Sequence, residues 1–295
     1  MRFEEIILAQ YGLDGKMWLD ALPALLASFA ERWDLTISPP FENLSYNYVA
    51  PAQRVDGTPV VLKLGVPNDE LRAEIAALHH FAGRGMVRLL EADAEKGAML
   101  LERALPGETL WDAEEKFATE RLLDVMPRLW RPYDGDFPFK TVKDWALAFS
   151  RLRKRHNGTT GKLDKARVEK AECIFSELFA SSAETVLLHG DLHHDNLLSI
   201  GNAYIAIDPK GVLGEPCYEV GAFLRNPWHT LLTRENPFQD TQRRVDMIVE
   251  RLGFDRQRVI SWAFYQAVLS AIWCDEGGGD CAEWVLKVAE IFERL

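Results

Sequence analysis

The sequence predicts an α+β fold in two lobes, a small antiparallel-sheet lobe followed by a larger, mainly helical one. Three observations predict it. Two β-rich runs near the start are joined by Asp56-Gly57, a dipeptide that tolerates the positive φ angles of a tight hairpin turn. Apolar residues recur at helical spacing through most of the second half of the chain. Between the two regions Pro106-Gly107 breaks the chain. The lobes are expected at residues 1–103 and 104–295.

The elements follow in order. Residues 1–40 read as a helical entry segment, with Leu19, Leu22, Leu26 and Phe29 on one stripe and Pro39-Pro40 as its stop. Asn47 to Val55 and Thr58 to Leu64 are strands, and Lys63 lies inside the second. A helix is expected over Asp69 to Ala82, capped by Asn68 or Asp69 and closed by Gly83, with Leu71, Ile75 and Leu78 inward. Short strands follow at Met86 to Glu91 and Ala98 to Arg103. Helices are expected around 145–155, 165–180, 240–252, 257–274 and 282–294. The apolar runs Thr185 to Leu188 and Tyr204 to Ile207 read as strands with polar motifs at their ends.

Composition narrows the function. The chain has 295 residues and a net charge of −11, from 34 basic and 45 acidic residues. Nucleic acid is therefore not expected as a partner, because phosphate binding of that kind needs a basic face. The acidity suits a cationic or polar small molecule, though it is also ordinary for a soluble protein. The start, Met1-Arg2-Phe3-Glu4-Glu5, is not expected to be a signal peptide, and no apolar run approaches the ~20 residues that span a bilayer. No membrane association and a cytoplasmic location are expected. The four cysteines form no C-x-x-C pair and read as buried, reduced thiols.

The run His189-Gly190-Asp191-Leu192-His193-His194-Asp195-Asn196 carries the chemistry. It matches H-x-D-L-x-x-x-N, a loop that serves phosphoryl transfer. Asp191 is expected to accept or orient the proton of an acceptor hydroxyl, and Asn196 to coordinate Mg²⁺. Asp208, at the end of the next apolar run, stands where a second carboxylate reaches the metal that bridges the ATP phosphates. A metal-hydrolase reading of His189, Asp191, His193, His194 and Asp195 competes, but the other histidines lie in no ligand-like spacing.

Lys63 inside an apolar strand needs a partner, and so does Glu74 on or beside the apolar stripe of its helix. Paired, they would present an ammonium to the ATP phosphates. The connector offers the Glu102 carbonyl and Ala104 amide to adenine. The phosphate turn, near Glu42 to Asn47, has no glycine, and Ser45 and Asn47 are its candidate donors.

These segments resemble the aminoglycoside phosphotransferase family, and within it the streptomycin 6-kinase and hydroxyurea kinase branch. The His-Gly-Asp loop marks the wider family. Asp208-Pro209-Lys210-Gly211, Glu215-Pro216, Glu219-Val220-Gly221 and Arg225-Asn226-Pro227 mark the branch. The resemblance implies a protein-kinase-like fold, ATP and Mg²⁺, and phosphorylation of a hydroxyl on a small molecule, an antibiotic of the streptomycin type or hydroxyurea. Asp191 takes the catalytic role, Asn196 and Asp208 the metal roles, and Lys63 with Glu74 the phosphate-positioning role. Trp273 and Asp275-Glu276 either face cationic groups of the acceptor or are core and a solvated helix end. A metabolite kinase of the same fold and a nucleotide-binding pseudokinase stay open, since no motif describes acceptor specificity.

Overall fold

The computed structural model describes residues 2–182, 184–279 and 281–295. The chain forms two compact units, Met1–Gly107 and Glu108–Leu295.

The first unit is a five-stranded antiparallel sheet with two helices. Helix α1 (Phe3–Arg32) bends at Gly12, the one residue inside it with non-helical angles. Its buried Ile7, Trp18 and Phe29 pack against Leu62, Leu64, Val66 and Ala98 of the sheet region. The helix stops well before the two prolines that were expected to end it. Asp34 takes a left-handed conformation, φ 52°, and turns the chain into a strand the sequence reading missed, β1 (Leu35–Ile37). The order is β1-β2-β3-β5-β4, with β2 (Asn47–Arg54), β3 (Pro59–Gly65), β4 (Leu89–Asp93) and β5 (Ala98–Glu102). Asp56-Gly57 makes the β2–β3 turn as expected. The Asp56 carboxylate accepts from the Thr58 N–H at 2.9 Å, the local bond that suits aspartate to turns. Strand β4 begins three residues later than expected, because Met86 and Val87 are buried without joining the ladder. Helix α2 (Asp69–Phe81) is capped by Asn68, which accepts from the Leu71 N–H at 2.8 Å.

Alternation along β3 sets the site residue. Leu62 and Leu64 point to the α1 side, so Lys63 points the other way.

The second unit holds two small sheets among helices. One is ordered β10-β9-β6 and the other β7-β11-β8. Their strands are β6 (Pro106–Thr109, which begins with the last two residues of the first unit), β7 (Lys140–Thr141), β8 (Val186–Leu188), β9 (Leu197–Ile200), β10 (Ala203–Ala206) and β11 (Val212–Gly214). The helices are α3 (Glu115–Leu129), α4 (Val142–Arg155), α5 (Lys165–Ala180), α6 (Val220–Leu224), α7 (Trp228–Leu231), α8 (Pro237–Leu252), α9 (Arg256–Glu276) and α10 (Ala282–Glu293). Helix α3 was not expected. Its start is capped by a glutamate, Glu114, which accepts from the N–H groups of Lys116 and Phe117. Glutamate is not among the usual capping residues.

Helix α9 is the axis of this unit, with α4, α5, α6, α8 and α10 packed on it. Trp262, Phe264 and Leu269 are core residues. The cysteine expectation is corrected. Cys274 and Cys281 form a disulfide with Cα atoms 6.0 Å apart, and Cys173 is exposed, while Cys217 is buried. A turn through Gly277, Gly278 and Gly279 brings the end of α9 back toward α10, a closeness that cysteine spacing does not reveal.

Glu215 anchors the segment that leads into α6. Its carboxylate accepts from Arg258 Nε and Nη2, the latter at 2.7 Å, and from the indole N–H of Trp262. It is nearly buried. Removing one partner of such a network leaves a buried charge uncompensated. Glu215→Ala should therefore destabilise the protein by about 3–5 kcal/mol, read as a lower urea midpoint; an unchanged midpoint would show that the network carries no stability.

Candidate active site

Strand β8 delivers the chain into the loop His189–Asn196, and the loop is held by side chains rather than by a ladder. The buried carboxylate of Glu219 accepts two consecutive backbone N–H groups, from His189 at 2.7 Å and Gly190 at 2.9 Å. Gly190 sits at φ 86°, and a Cβ there would lie 2.8 Å from Trp145 Cη2 and 3.0 Å from Val212 Cγ1. Only glycine fits that conformation and that space.

The fully buried His189 ring ties the two halves of the site together. Its Nδ1 accepts from the Asp191 N–H at 3.2 Å and its Nε2 donates to the Ile207 carbonyl at 2.7 Å. Its own carbonyl accepts from the N–H groups of Lys210 and Gly211. The segment 207–211 thus wraps around His189, and Asp208 sits at the turn with φ 57°, a conformation that aspartate tolerates better than most residues. Burial holds the imidazole down to about 4, against the pull of its bond to Ile207 and of Asp191. It is a neutral brace at working pH.

Asp191 lies between Arg225 and His193. Arg225 Nη2 donates to its Oδ1 at 3.1 Å, and His193 Nε2 lies 3.7 Å from its Oδ2. Burial favours the protonated acid, but His193, Arg225 and Lys210 outweigh it and hold the carboxyl well below its usual range. Asp191 is an anion throughout the neutral range. Asn196 donates its amide to the Asp191 carbonyl at 2.8 Å, a bond that does not use its side-chain oxygen. Its own carbonyl accepts from the Ile207 N–H at 3.0 Å, so the Asn196 and Asp208 backbones are tethered one residue apart. An amide oxygen and a carboxylate are the hard donors that Mg²⁺ takes.

The competing hydrolase constellation is not assembled. His189 is engaged as above, and His194 is buried and stacked on Phe223 with ring centroids 4.3 Å apart. Among the described residues no group of three His, Cys, Asp or Glu side chains is arranged to hold a metal ion.

Lys63, Glu74, Glu102, Ala104, Ser45 and Asn47 belong to the first unit, and Asp191, Asn196 and Asp208 to the second. Within the first, Lys63 Nζ donates to Glu74 Oε1 at 2.6 Å, and both residues are buried. Ser45 is exposed in the turn before β2. Asn47 opens β2, with its side chain lying over Gly65, where a Cβ would meet its Oδ1. Glu102 ends β5, and its carboxylate is taken by Arg88, at 2.8 Å from the backbone N–H and 2.9 Å from Nε. Ala104 is buried.

Trp273 is half-buried and meets Trp145 edge-on, centroids 5.4 Å apart. Asp275 and Glu276 are already matched by Arg155, His156 and Arg151, as a tied helix end would be. The sequence reading assigned no individual role to Glu219, Arg225 or Trp145, and considered His193 only as a ligand in the hydrolase reading. Glu219 and Arg225 lie in the segments that marked the branch, yet their roles come from bonds 29 or more residues long in sequence, and no local pattern encodes those.

Comparison with known proteins agrees with this architecture. A family model described as aminoglycoside/hydroxyurea antibiotic resistance kinase matches residues 32–278. The chain belongs to this family. Family members are small-molecule kinases, and this chain is one. It is 31% identical to streptomycin 6-kinase of Streptomyces glaucescens, over 91% of this chain and 88% of that one. It is 30% identical to hydroxyurea phosphotransferase of Kitasatospora aureofaciens, over 97% and 83%. Two solved structures share the protein-kinase-like fold. A choline/ethanolamine kinase family protein from Mesorhizobium loti superposes with TM-score 0.67 at 17% identity, covering 94% of each chain. A thermostable aminoglycoside phosphotransferase APH(4)-Ia, solved with AMP-PNP and hygromycin B, superposes with TM-score 0.66 at 17% identity, covering 91% and 97%.

Glu219 makes stability depend on pH. Burial raises its carboxyl from the ordinary 4.5 to about 7, against the lowering effect of the two N–H groups. The folded state therefore binds more protons than the unfolded state between those values, so this contribution is full below 4.5 and is lost as pH rises through 7. Its size is on the order of 3 kcal/mol. Urea unfolding across this range should show the decline, and Glu219→Gln should flatten it. An equal slope in the variant would place the effect elsewhere.

Proposed function

We propose that the chain transfers the terminal phosphoryl group of ATP to a hydroxyl of a small polar or cationic molecule, a streptomycin-type aminoglycoside or hydroxyurea, and so acts as a resistance kinase in the cytoplasm. Family membership supports the reaction class, and the named activities of the relatives support these acceptors. The observation that carries the reading is the His189–Asn196 loop, in which Asp191 is kept anionic beside Asn196 and the Asp208 turn. Among the described residues no helix is long and apolar enough to cross a membrane.

The residues divide the work. Asp191 accepts a hydrogen bond from the acceptor hydroxyl and aims its oxygen at the phosphorus. Because its carboxyl is so acidic, it orients the hydroxyl through the early part of transfer and takes the proton only as the new P–O bond forms. Asn196 and Asp208 would hold Mg²⁺, which neutralises phosphate charge when bound. Lys63, kept in place by Glu74, offers its ammonium to the ATP phosphates. Ser45 and Asn47 offer donors to phosphate, and the backbone at Glu102 and Ala104 offers partners to adenine.

ATP consumption with Mg²⁺ should rise on adding streptomycin or hydroxyurea from a panel that also holds other aminoglycosides and simple amino alcohols. Turnover with amino alcohols alone would make it a metabolite kinase, and ATP binding without turnover on any of them would leave a pseudokinase. Asp191→Ala should cut transfer by about 10²–10⁴-fold while ATP affinity stays near wild type. Near-normal turnover in that variant would remove Asp191 from its role. Lys63→Ala should raise the KM for ATP and lower kcat, and unchanged kinetics would sink the phosphate-positioning role.

A further inference from the structure

Arg225 ends α6 at the back of the catalytic loop, and its backbone is braced. Its N–H donates to the Gly221 carbonyl at 3.1 Å, and the next residue, the buried Asn226, donates its amide to the Ala222 carbonyl at 2.8 Å. Behind them lies Arg244, 1% exposed. Its guanidinium caps the carbonyls of Phe223 and Asn226 and sits 4.4 Å from the Phe223 ring centroid. Residues 223–226 are therefore pinned by a buried cation, and the Arg225 side chain is a strut from a fixed base.

The strut ends on Asp191. Its side chain is 14% exposed and that of Asp191 28%, so the pair is largely shielded from solvent. Arginine and carboxylate usually pair through two parallel bonds. Here Arg225 uses one nitrogen on one oxygen, Nη2 on Oδ1 at 3.1 Å, and its buried Nε has no hydrogen-bond partner among the described residues. The other oxygen, Oδ2, has His193 Nε2 at 3.7 Å, beyond hydrogen-bond length. One carboxylate oxygen is thus committed and the other is left for an incoming hydroxyl.

We infer that Arg225 is a positioning residue for phosphoryl transfer, which occupies Oδ1 of Asp191 and so reserves Oδ2 for the hydroxyl of the acceptor. Arg225 acts through Asp191 and not on the nucleotide. This rests on the kinase reading above. A carboxylate tied at one oxygen is restrained from rotating away from the acceptor, and misplacement of a reacting group by about 1 Å costs about 10²-fold in rate.

The test uses the full-length chain with whichever acceptor the wild type phosphorylates. Arg225→Met keeps the aliphatic stem and removes the charge. It should lower kcat about 10²-fold, with the KM for ATP within about twofold of wild type and the thermal midpoint little changed. Arg225→Lys should recover most of the rate, because it restores a cation at nearly the same reach. Guanidinium ion added to Arg225→Ala at millimolar concentration should recover part of it. A purely structural residue would lose stability and ATP affinity with the rate, and free guanidinium would not restore it. Wild-type kcat in Arg225→Met, or loss of rate with recovery by neither lysine nor guanidinium, would overturn the inference. A wild type that phosphorylates no acceptor would overturn the kinase reading, and this inference with it.

Discussion

The Glu219 carboxylate, buried with both oxygens bound to successive backbone N–H groups of His189 and Gly190, holds the start of the loop, which lies outside strand β8 and before the short 3-10 turn His194–Asn196. A catalytic loop has to leave its side chains pointing at a substrate, so its backbone cannot use the regular ladders that fix strands and helices. Unpaired buried N–H groups cost free energy, and Glu219 removes that cost at the position where the chain turns left-handed at Gly190. His189 continues the same arrangement to Ile207, Lys210 and Gly211. The Asp208 turn is therefore positioned by the same loop that presents Asp191, and the two carboxylates cannot shift independently.

Buried charge recurs behind this loop, and each instance tethers one segment, residues 215–226. Arg258 and Trp262 hold Glu215, Glu219 holds the loop, and Arg244 holds the end of α6. Burying an ion is expensive unless its bonds are satisfied. Glu215, Glu219 and Arg244 spend their bonds on fixed groups of helix or backbone, so the segment has one low-energy arrangement. Burial pulls Arg244 down only to about 10, and it stays cationic. The same economy appears in the first unit, where one lysine and one glutamate answer each other at 2.6 Å.

Several features were legible in the residue order because local chemistry sets them. Asp56-Gly57 makes its turn and Asn68 makes its cap, since each bond forms within three residues. The amphipathic stripes of α2, α8 and α10 announce helices, and the α+β class follows from counting such signals. The Lys63–Glu74 pair was legible for a different reason. Two charges in apolar surroundings each need a partner, and the alternation of β3 turns Lys63 away from Leu62 and Leu64. The misses have physical causes too. Strand β1 depends on a left-handed Asp34, α3 starts from a glutamate cap, and the Cys274–Cys281 bridge depends on how α9 turns back.

Residue order alone carried the proposed site as a spacing: a carboxylate at 191, an amide at 196 and a second carboxylate at 208. Those intervals are short enough for one loop and one hairpin to span them, so covalent connectivity nearly sets their neighbourhood. It carried no account of how the loop is held. Glu219 stands 29 residues from the N–H of Gly190, Arg225 stands 34 from Asp191, and Arg258 stands 43 from Glu215. Contacts at that separation exist only once helices α6 and α9 have packed behind the loop, because burial is what makes each bond worth forming. The proposed site groups were therefore written in local pattern, and their orientation came from the packed interior.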